Sequence, residues 1–140
     1  MKINLLMFYQ DDPKKCTAAK LIKFGLAKKI TKSQSKTALL HPFAEKVFQK
    51  NFVGLSRKLP PLLAGNPVNY SKINKLTTVE AIAAATYILG DKELSQKLLE
   101  KFNWGHTFLE LNENLLNDYQ KANSDEKVKE IIREYGYEYN

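Results

Sequence analysis

Residues 59–89 read LPPLLAGNPVNYSKINKLTTVEAIAAATYIL, and the folding of this run decides the reading of the chain. Leu62, Leu63 and Ala64 form a short continuous apolar run closed by Gly65, Asn66 and Pro67, the pattern of a strand buried on both faces. Thr77 followed three residues later by Glu80 is a capping box: the hydroxyl accepts an orphan backbone N–H, and the carboxylate reaches back to the cap. Val79, Ile82, Ala83, Tyr87 and Leu89 supply an apolar, alanine-rich helix that Gly90 is placed to end. A strand that passes through a loop to a helix N-terminus is where α/β proteins hold small anionic ligands, because free N–H groups and the helix dipole favour carboxylate or phosphate. The same residues also serve as a core element with no ligand.

Working outward, charge divides the chain. Residues 1–58 contain thirteen Lys/Arg and three Asp/Glu, whereas residues 59–140 contain nine and twelve; the total is a net charge of +7. No acidic residue occurs from position 13 to position 44, where Lys14, Lys15, Lys20, Lys23, Lys28, Lys29, Lys32 and Lys36 follow one another. Such a field suits nucleic-acid phosphates, with an affinity that falls steeply with salt, or else a solvated lysine-rich face. At 140 residues with 44% hydrophobic content, the chain can bury one core, or a core with a small second lobe. The start, KINLLMFYQ, lacks the pattern of a signal peptide, and no apolar run is long enough to span a bilayer, so a cytoplasmic protein without membrane contact is expected. Cys16 has no disulfide partner, and two separated histidines give no metal-ligand spacing, so no metal is expected.

The flanking segments read as follows. Residues 2–9 predict a first strand, and Asp11 and Asp12 a polar turn. Residues 16–26 predict a helix with Ala18, Leu21, Ile22 and Phe24 on its buried side and Thr17 at its start. A short strand is expected at 37–40, a helix at 43–49 and a loop at 51–58. Asp91 is a cap for a helix reaching about Phe102. Trp104 is expected to fill the core at a junction, followed by a longer helix carrying Phe108, Leu111, Leu115 and Tyr119. Ser124 is placed to cap a last helix, ended near Gly136 before the tyrosines at 135, 137 and 139. No phosphate-binding glycine motif and no nucleophile elbow occurs. Residue pattern alone thus predicts an α/β domain with a basic N-terminal half and a helical remainder, and names no reaction.

Four stretches in order, DDPKKCTAAKLIKFGLA, LPPLLAGNPVNY, KLTTVEAIAAATYILG and FNWGHTFLELNENLLNDY, closely resemble the small-subunit rRNA aminocarboxypropyltransferases of the Tsr3 family, in their archaeal form. The resemblance implies a SPOUT-like α/β parallel-sheet domain with a trefoil knot, followed by an all-helical domain. Residues 1–64 would be the RNA- and cofactor-binding part and residues 65–140 the helical C-terminal part. It implies transfer of the 3-amino-3-carboxypropyl group of S-adenosylmethionine to N3 of a modified uridine, with release of methylthioadenosine. The implied partner is small-subunit rRNA in a 30S or pre-40S particle, met by a monomer. Carried over residue by residue, Thr17 would hold the cofactor carboxylate with the backbone N–H of Thr78. Leu59 and Asn74 would meet the adenine through an N–H and a carbonyl, with Leu40, Pro42, Leu76 and Ala81 around the ring. Lys14, Lys15, Lys20, Lys23, Lys28 and Lys29 would face RNA.

One departure accompanies the resemblance. Family members carry a strand and helix with a D-C-S-W signature before the element that begins at Leu59. Here sixteen residues separate Pro42 from Leu59, without that signature, and the seam falls near Lys50 and Asn51. The absent piece would supply a ribose contact, a tryptophan wall and an aspartate. Two other readings follow: a non-catalytic rRNA-binding assembly factor, and a methyltransferase using the same cofactor.

Overall fold

Among the described residues, three of the five helices begin where a short polar side chain takes up an orphan N–H, and these caps fix the helical frame. The computed structural model describes residues 3–6, 17–30, 39–40, 47–49 and 56–138. They fall into two compact units, Met1–Thr37 and Ala38–Asn140. The expectations at Asp11, Asp12, Lys14, Lys15, Cys16, His41, Pro42 and Tyr139, and the seam at Lys50 and Asn51, lie outside the described residues.

In the first unit, β1 (Asn4–Leu6) pairs in parallel with β2 (Lys28–Ile30), and α1 (Thr17–Lys23) lies between them in sequence. The helix buries Thr17, Ala18 and Leu21. Phe24, expected on the buried side, is 46% exposed, because the helix ends at Lys23 and the chain turns away at Gly25.

The second unit begins with β3 (Leu39–Leu40) parallel to β4 (Ser56–Arg57), followed by a bridge from Val47 to Lys58. Two expectations change here. Val47 sits in a β-bridge instead of inside the helix expected at 43–49, and residues 56–57, read as loop, form a strand too short to leave a periodic signal. Leu62 and Ala64 are fully buried as expected. Their neighbours, however, are a turn and a side chain: Asn74 N donates to Leu62 O at 3.0 Å, and Ala64 N donates to Lys72 O at 2.9 Å.

Four helices complete the unit. Helix α2 (Thr78–Ile88) starts on the predicted capping box, with Thr77 Oγ1 accepting from Glu80 N and Glu80 Oε1 accepting from Thr77 N at 2.9 Å. It ends as Gly90, at φ +96°, lets Asp91 N reach Thr86 O at 2.9 Å, a turn that residues with a Cβ adopt at a cost. Asp91 caps α3 (Lys92–Leu99) through Leu94 N, and Ser124 caps α5 (Asp125–Glu134) through Lys127 N, both as predicted. Between them runs α4 (Gly105–Lys121). Trp104 opens it half-buried, its ring 5.3 Å from that of Phe102.

Helix α2 packs against α3 and α4, and α5 against α4. A small residue joins α3 to α2: Ser95 Oγ donates to Ala83 O at 2.8 Å, the carbonyl that also accepts Thr86 Oγ1 of α2 itself at 2.9 Å. Val79, Ala83, Ile88, Leu98, Phe108, Leu116, Tyr119 and Val128 are fully buried, and each large apolar side chain so placed contributes about 1.5–3 kcal/mol. At the end of α5, Tyr135 donates to Asp118 Oδ2 at 2.6 Å, and that bond holds its phenol up at about 12.

The expected SPOUT-like parallel sheet with a trefoil knot is therefore corrected. Among the described residues the chain is mainly helical. Parallel pairing there is confined to two separate two-stranded ladders, whose strands are two or three residues long, and the isolated bridge of Val47 with Lys58. The physical reason is visible at residues 61–64, where a side chain and a turn satisfy the backbone that a sheet would otherwise pair.

That side chain is Asn112 of α4. Its amide accepts from Leu63 N and donates to Leu63 O, both at 2.7 Å, as a neighbouring strand would. Replacing Asn112 with Ala leaves two backbone groups unpaired, so urea denaturation should show a loss of about 2–3 kcal/mol. Asn114→Ala, on the exposed side of the same helix, should change stability by less than about 0.5 kcal/mol.

Candidate cofactor site at the 65–78 loop

The loop from Gly65 to α2 is organised by one carboxylate. Glu80 is fully buried and both its oxygens act as acceptors. Oε2 takes Gly65 N at 2.6 Å and Asn66 N at 3.2 Å; Oε1 takes Asn66 Nδ2 at 2.8 Å, Thr77 N at 2.9 Å and Thr77 Oγ1 at 3.0 Å. Five donors from both ends of the loop thus meet on one side chain. Asn66 adds a bond to Lys75 O at 3.3 Å and accepts Asn69 N at 3.0 Å. Gly65 lies so close to α4 that a Cβ there would come within 2.5 Å of Phe108 N. The approach excludes any side chain and seats the loop against the helix.

Upstream, Tyr119 donates to Pro61 O at 2.9 Å, and burial raises its phenol well above the ordinary range. Residues 61–63 are thus pinned by α4 from one side and by residue 74 from the other. Two non-glycine residues in the loop, Ser71 and Asn74, have φ of 62° and 59°. They are the only such residues among those described, and a conformation of this kind persists only where the surroundings over-determine it.

The structure distributes the expected cofactor residues as follows. Leu40 ends β3, paired with Arg57, and is half-buried; Leu59 follows β4, also half-buried. Asn74 spends its N–H on Leu62 O. Leu76 is half-buried just before the cap, Thr78 is the exposed first residue of α2, and Ala81 lies half-buried one turn on. Pro42 is outside the described residues. Thr17 is the buried first residue of α1 and belongs to the first unit. Of the expected RNA-facing lysines in that unit, Lys23, Lys28 and Lys29 are exposed and Lys20 is half-buried, while Lys14 and Lys15 are not described.

The available donors and acceptors suit an adenosyl amino acid. Within the described residues, neither the Leu59 N–H nor the Asn74 carbonyl is engaged in a hydrogen bond, and an adenine edge needs one donor and one acceptor. The capping box uses the N–H groups of Thr77 and Glu80 and leaves that of Thr78, in the first turn of α2, to an anion such as a carboxylate. Among the described residues, no cluster of His, Cys, Asp and Glu could hold a metal, and no helix is long and apolar enough to cross a membrane.

Sequence reasoning missed the second task of Glu80 and the clamp by Asn112. Asn112 carried a signal: it lies four residues after Phe108, in the buried phase of an otherwise apolar stripe, where a polar side chain needs a partner.

The second unit is thus a mainly helical domain in which a braced loop runs into the capped N-terminus of α2. Residues 28–136 match the family model described as "Ribosome biogenesis protein, C-terminal". Residues 1–35 match "Possible Fer4-like domain in RNase L inhibitor, RLI", although one cysteine cannot supply the four thiolates of an iron–sulfur cluster. The chain is 39% identical to a 16S rRNA aminocarboxypropyltransferase of Thermoplasma acidophilum, covering 95% of this chain and 98% of that one. It is 40% identical to that of Methanosarcina acetivorans, covering 90% and 89%. In structure it matches the SAM-dependent rRNA:acp-transferase Tsr3 from Vulcanisaeta distributa with a TM-score of 0.83 at 25% identity, over 98% of this chain and 90% of that one. The chain belongs to the 16S rRNA aminocarboxypropyltransferase family. The Thermoplasma alignment runs over 160 positions against a chain of 140 residues, so at least 20 of its positions have no counterpart here.

Glu80→Gln keeps the volume but turns an N–H toward the loop's own donors. We expect S-adenosylmethionine affinity, measured by calorimetry, to fall more than tenfold, with stability lowered by about 1–3 kcal/mol. Unchanged cofactor affinity in this variant would show that the braced loop is not the cofactor site.

Proposed function

We propose that the protein transfers the 3-amino-3-carboxypropyl group of S-adenosylmethionine to N3 of a modified uridine in small-subunit rRNA, in the cytoplasm, as a monomer acting on the ribosomal particle. The observation that carries this is membership of the family over nearly the whole chain, coupled with the adenosine-compatible backbone groups at Leu59 and Asn74. The cofactor supplies a sulfonium leaving group; the protein's task is to orient it and to select the carbon attacked. Leu59 and Asn74 bind the adenine, with Leu40, Pro42, Leu76 and Ala81 around it. The Thr78 N–H, in the first turn of α2, would hold the amino-acid carboxylate of the cofactor. In the transfer the bound cofactor would supply the side-chain carbon next to sulfur: N3 would form a bond to that carbon and give up its proton to solvent, while the C–S bond breaks with its electron pair on sulfur and methylthioadenosine leaves. Residues 1–64 carry the RNA-facing lysines Lys14, Lys15, Lys20, Lys23, Lys28 and Lys29 together with part of the cofactor site, and residues 65–140 provide the helical support.

The absence of at least 20 aligned positions favours a second reading, a non-catalytic rRNA-binding assembly factor. Archaeal small-subunit rRNA incubated with S-adenosylmethionine labelled in either the carboxyl or the methyl group decides between the readings. Carboxyl label in the RNA, with methyl label leaving as methylthioadenosine, is the expected result. Methyl label in the RNA would identify a methyltransferase, and RNA binding without any transfer would leave the assembly factor.

A further inference from the structure

The outer side of the same loop has a character that cofactor binding does not use. Val68 is 83% exposed and Tyr70 55%, and Ile73 is exposed beside them. Among the described residues these are three of the six large apolar side chains left in solvent. They stand with exposed Lys72 and Lys75 on a segment of eight residues. Residues 59–140 carry more acidic than basic side chains, yet between positions 59 and 90 the only carboxylate is Glu80, which is fully buried and occupied by the loop's own donors. The loop is therefore a positive, partly aromatic island on an otherwise acidic half.

Its rigidity bears on what it fits. The ends of the loop converge on Glu80, residues 71 and 74 are held in left-handed conformations, and Ser71 N is bonded to Ala64 O at 2.7 Å. A tyrosine displayed on such a support loses little entropy on stacking, and two flanking ammonium groups can neutralise backbone phosphates without competition from an exposed carboxylate of the loop itself.

We propose that the 68–75 loop is an RNA-contacting platform, in which Tyr70 stacks on an unpaired base and Lys72 and Lys75 engage the adjoining phosphates. The proposal rests on the reading of the protein as an rRNA-modifying enzyme and adds a surface for the strand that presents the target base. Stacking on an aromatic side chain is tolerant of base identity, so the loop supports the strand and leaves selection of the nucleotide to other contacts.

The test uses the full chain, a fluorescein-labelled single-stranded RNA fragment of archaeal small-subunit rRNA and, separately, S-adenosylmethionine. In anisotropy titrations, Tyr70→Ala should weaken RNA binding roughly tenfold and Tyr70→Phe by less than about twofold, because the ring is what stacks. The double variant Lys72→Ala/Lys75→Ala should weaken binding at low salt and make the slope of log affinity against log salt shallower by about 1.4, the loss of two single-strand phosphate contacts. Cofactor affinity by calorimetry and the thermal melt should stay within about twofold and a few degrees of wild type, since all three side chains are solvent-exposed. Wild-type RNA affinity in the variants, with the parent protein binding and modifying RNA, would overturn the platform alone. So would a loss confined to S-adenosylmethionine, which would assign Tyr70 to the cofactor pocket, or to a protein of the particle. A parent protein that neither binds nor modifies RNA would overturn the underlying reading together with the platform.

Discussion

The convergence of the loop on Glu80 is the interaction on which the rest of the second unit depends. A carboxyl group withdrawn from water is tolerated only where donors replace the lost hydration. Here the donors are the backbone and side chains of Gly65, Asn66 and Thr77, twelve residues apart along the chain at their extremes. One side chain therefore specifies where the loop leaves the extended segment and where it enters α2. The intervening residues are free to present themselves outward because the two ends are already settled.

The other constraints take the same form, a helical side chain standing in for secondary structure. Asn112 pairs both backbone groups of Leu63, Tyr119 holds Pro61 O, and Gly65 rests directly on the backbone of α4 at Phe108. Helix α4 is thus both the wall of the core and the partner of the extended segment. Because its apolar face is buried against α2 and α5, a displacement of the 59–65 segment would have to disturb the core itself. This coupling is how a short run without a sheet around it can present the backbone groups of Leu59 and Asn74 in a defined place.

What the sequence revealed follows the range of the interactions. The caps at Thr77, Asp91 and Ser124 are local, three residues wide, and read directly. The apolar face of α4 has a helical period and was legible for the same reason. The second role of Glu80 spans fifteen residues and that of Asn112 forty-nine, so neither leaves a pattern in a short window. The parallel sheet was inferred from resemblance and from apolar runs, and such runs do not say what pairs with them; at Leu62–Leu63 the partners are an asparagine and a turn. Of the loop that leads into α2, the capping box at its end was legible, while the brace that Glu80 makes across it was not.

These ranges also bear on the chain's shortness relative to its family. All the pins of the loop, from Pro61 to Tyr119, come from residues 61–119, downstream of the seam that motif spacing places near residues 50 and 51. A shortening there removes whatever contacts the missing positions would make to a bound cofactor, but none of the bonds that hold the loop or α2. Frame and contacts are separable in this architecture: the frame is a property of one contiguous stretch and the helix packed on it, and the contacts accumulate around that frame. A shortened member of the family therefore keeps the braced loop and the capped start of α2, because every bond that holds them lies within residues 61–119.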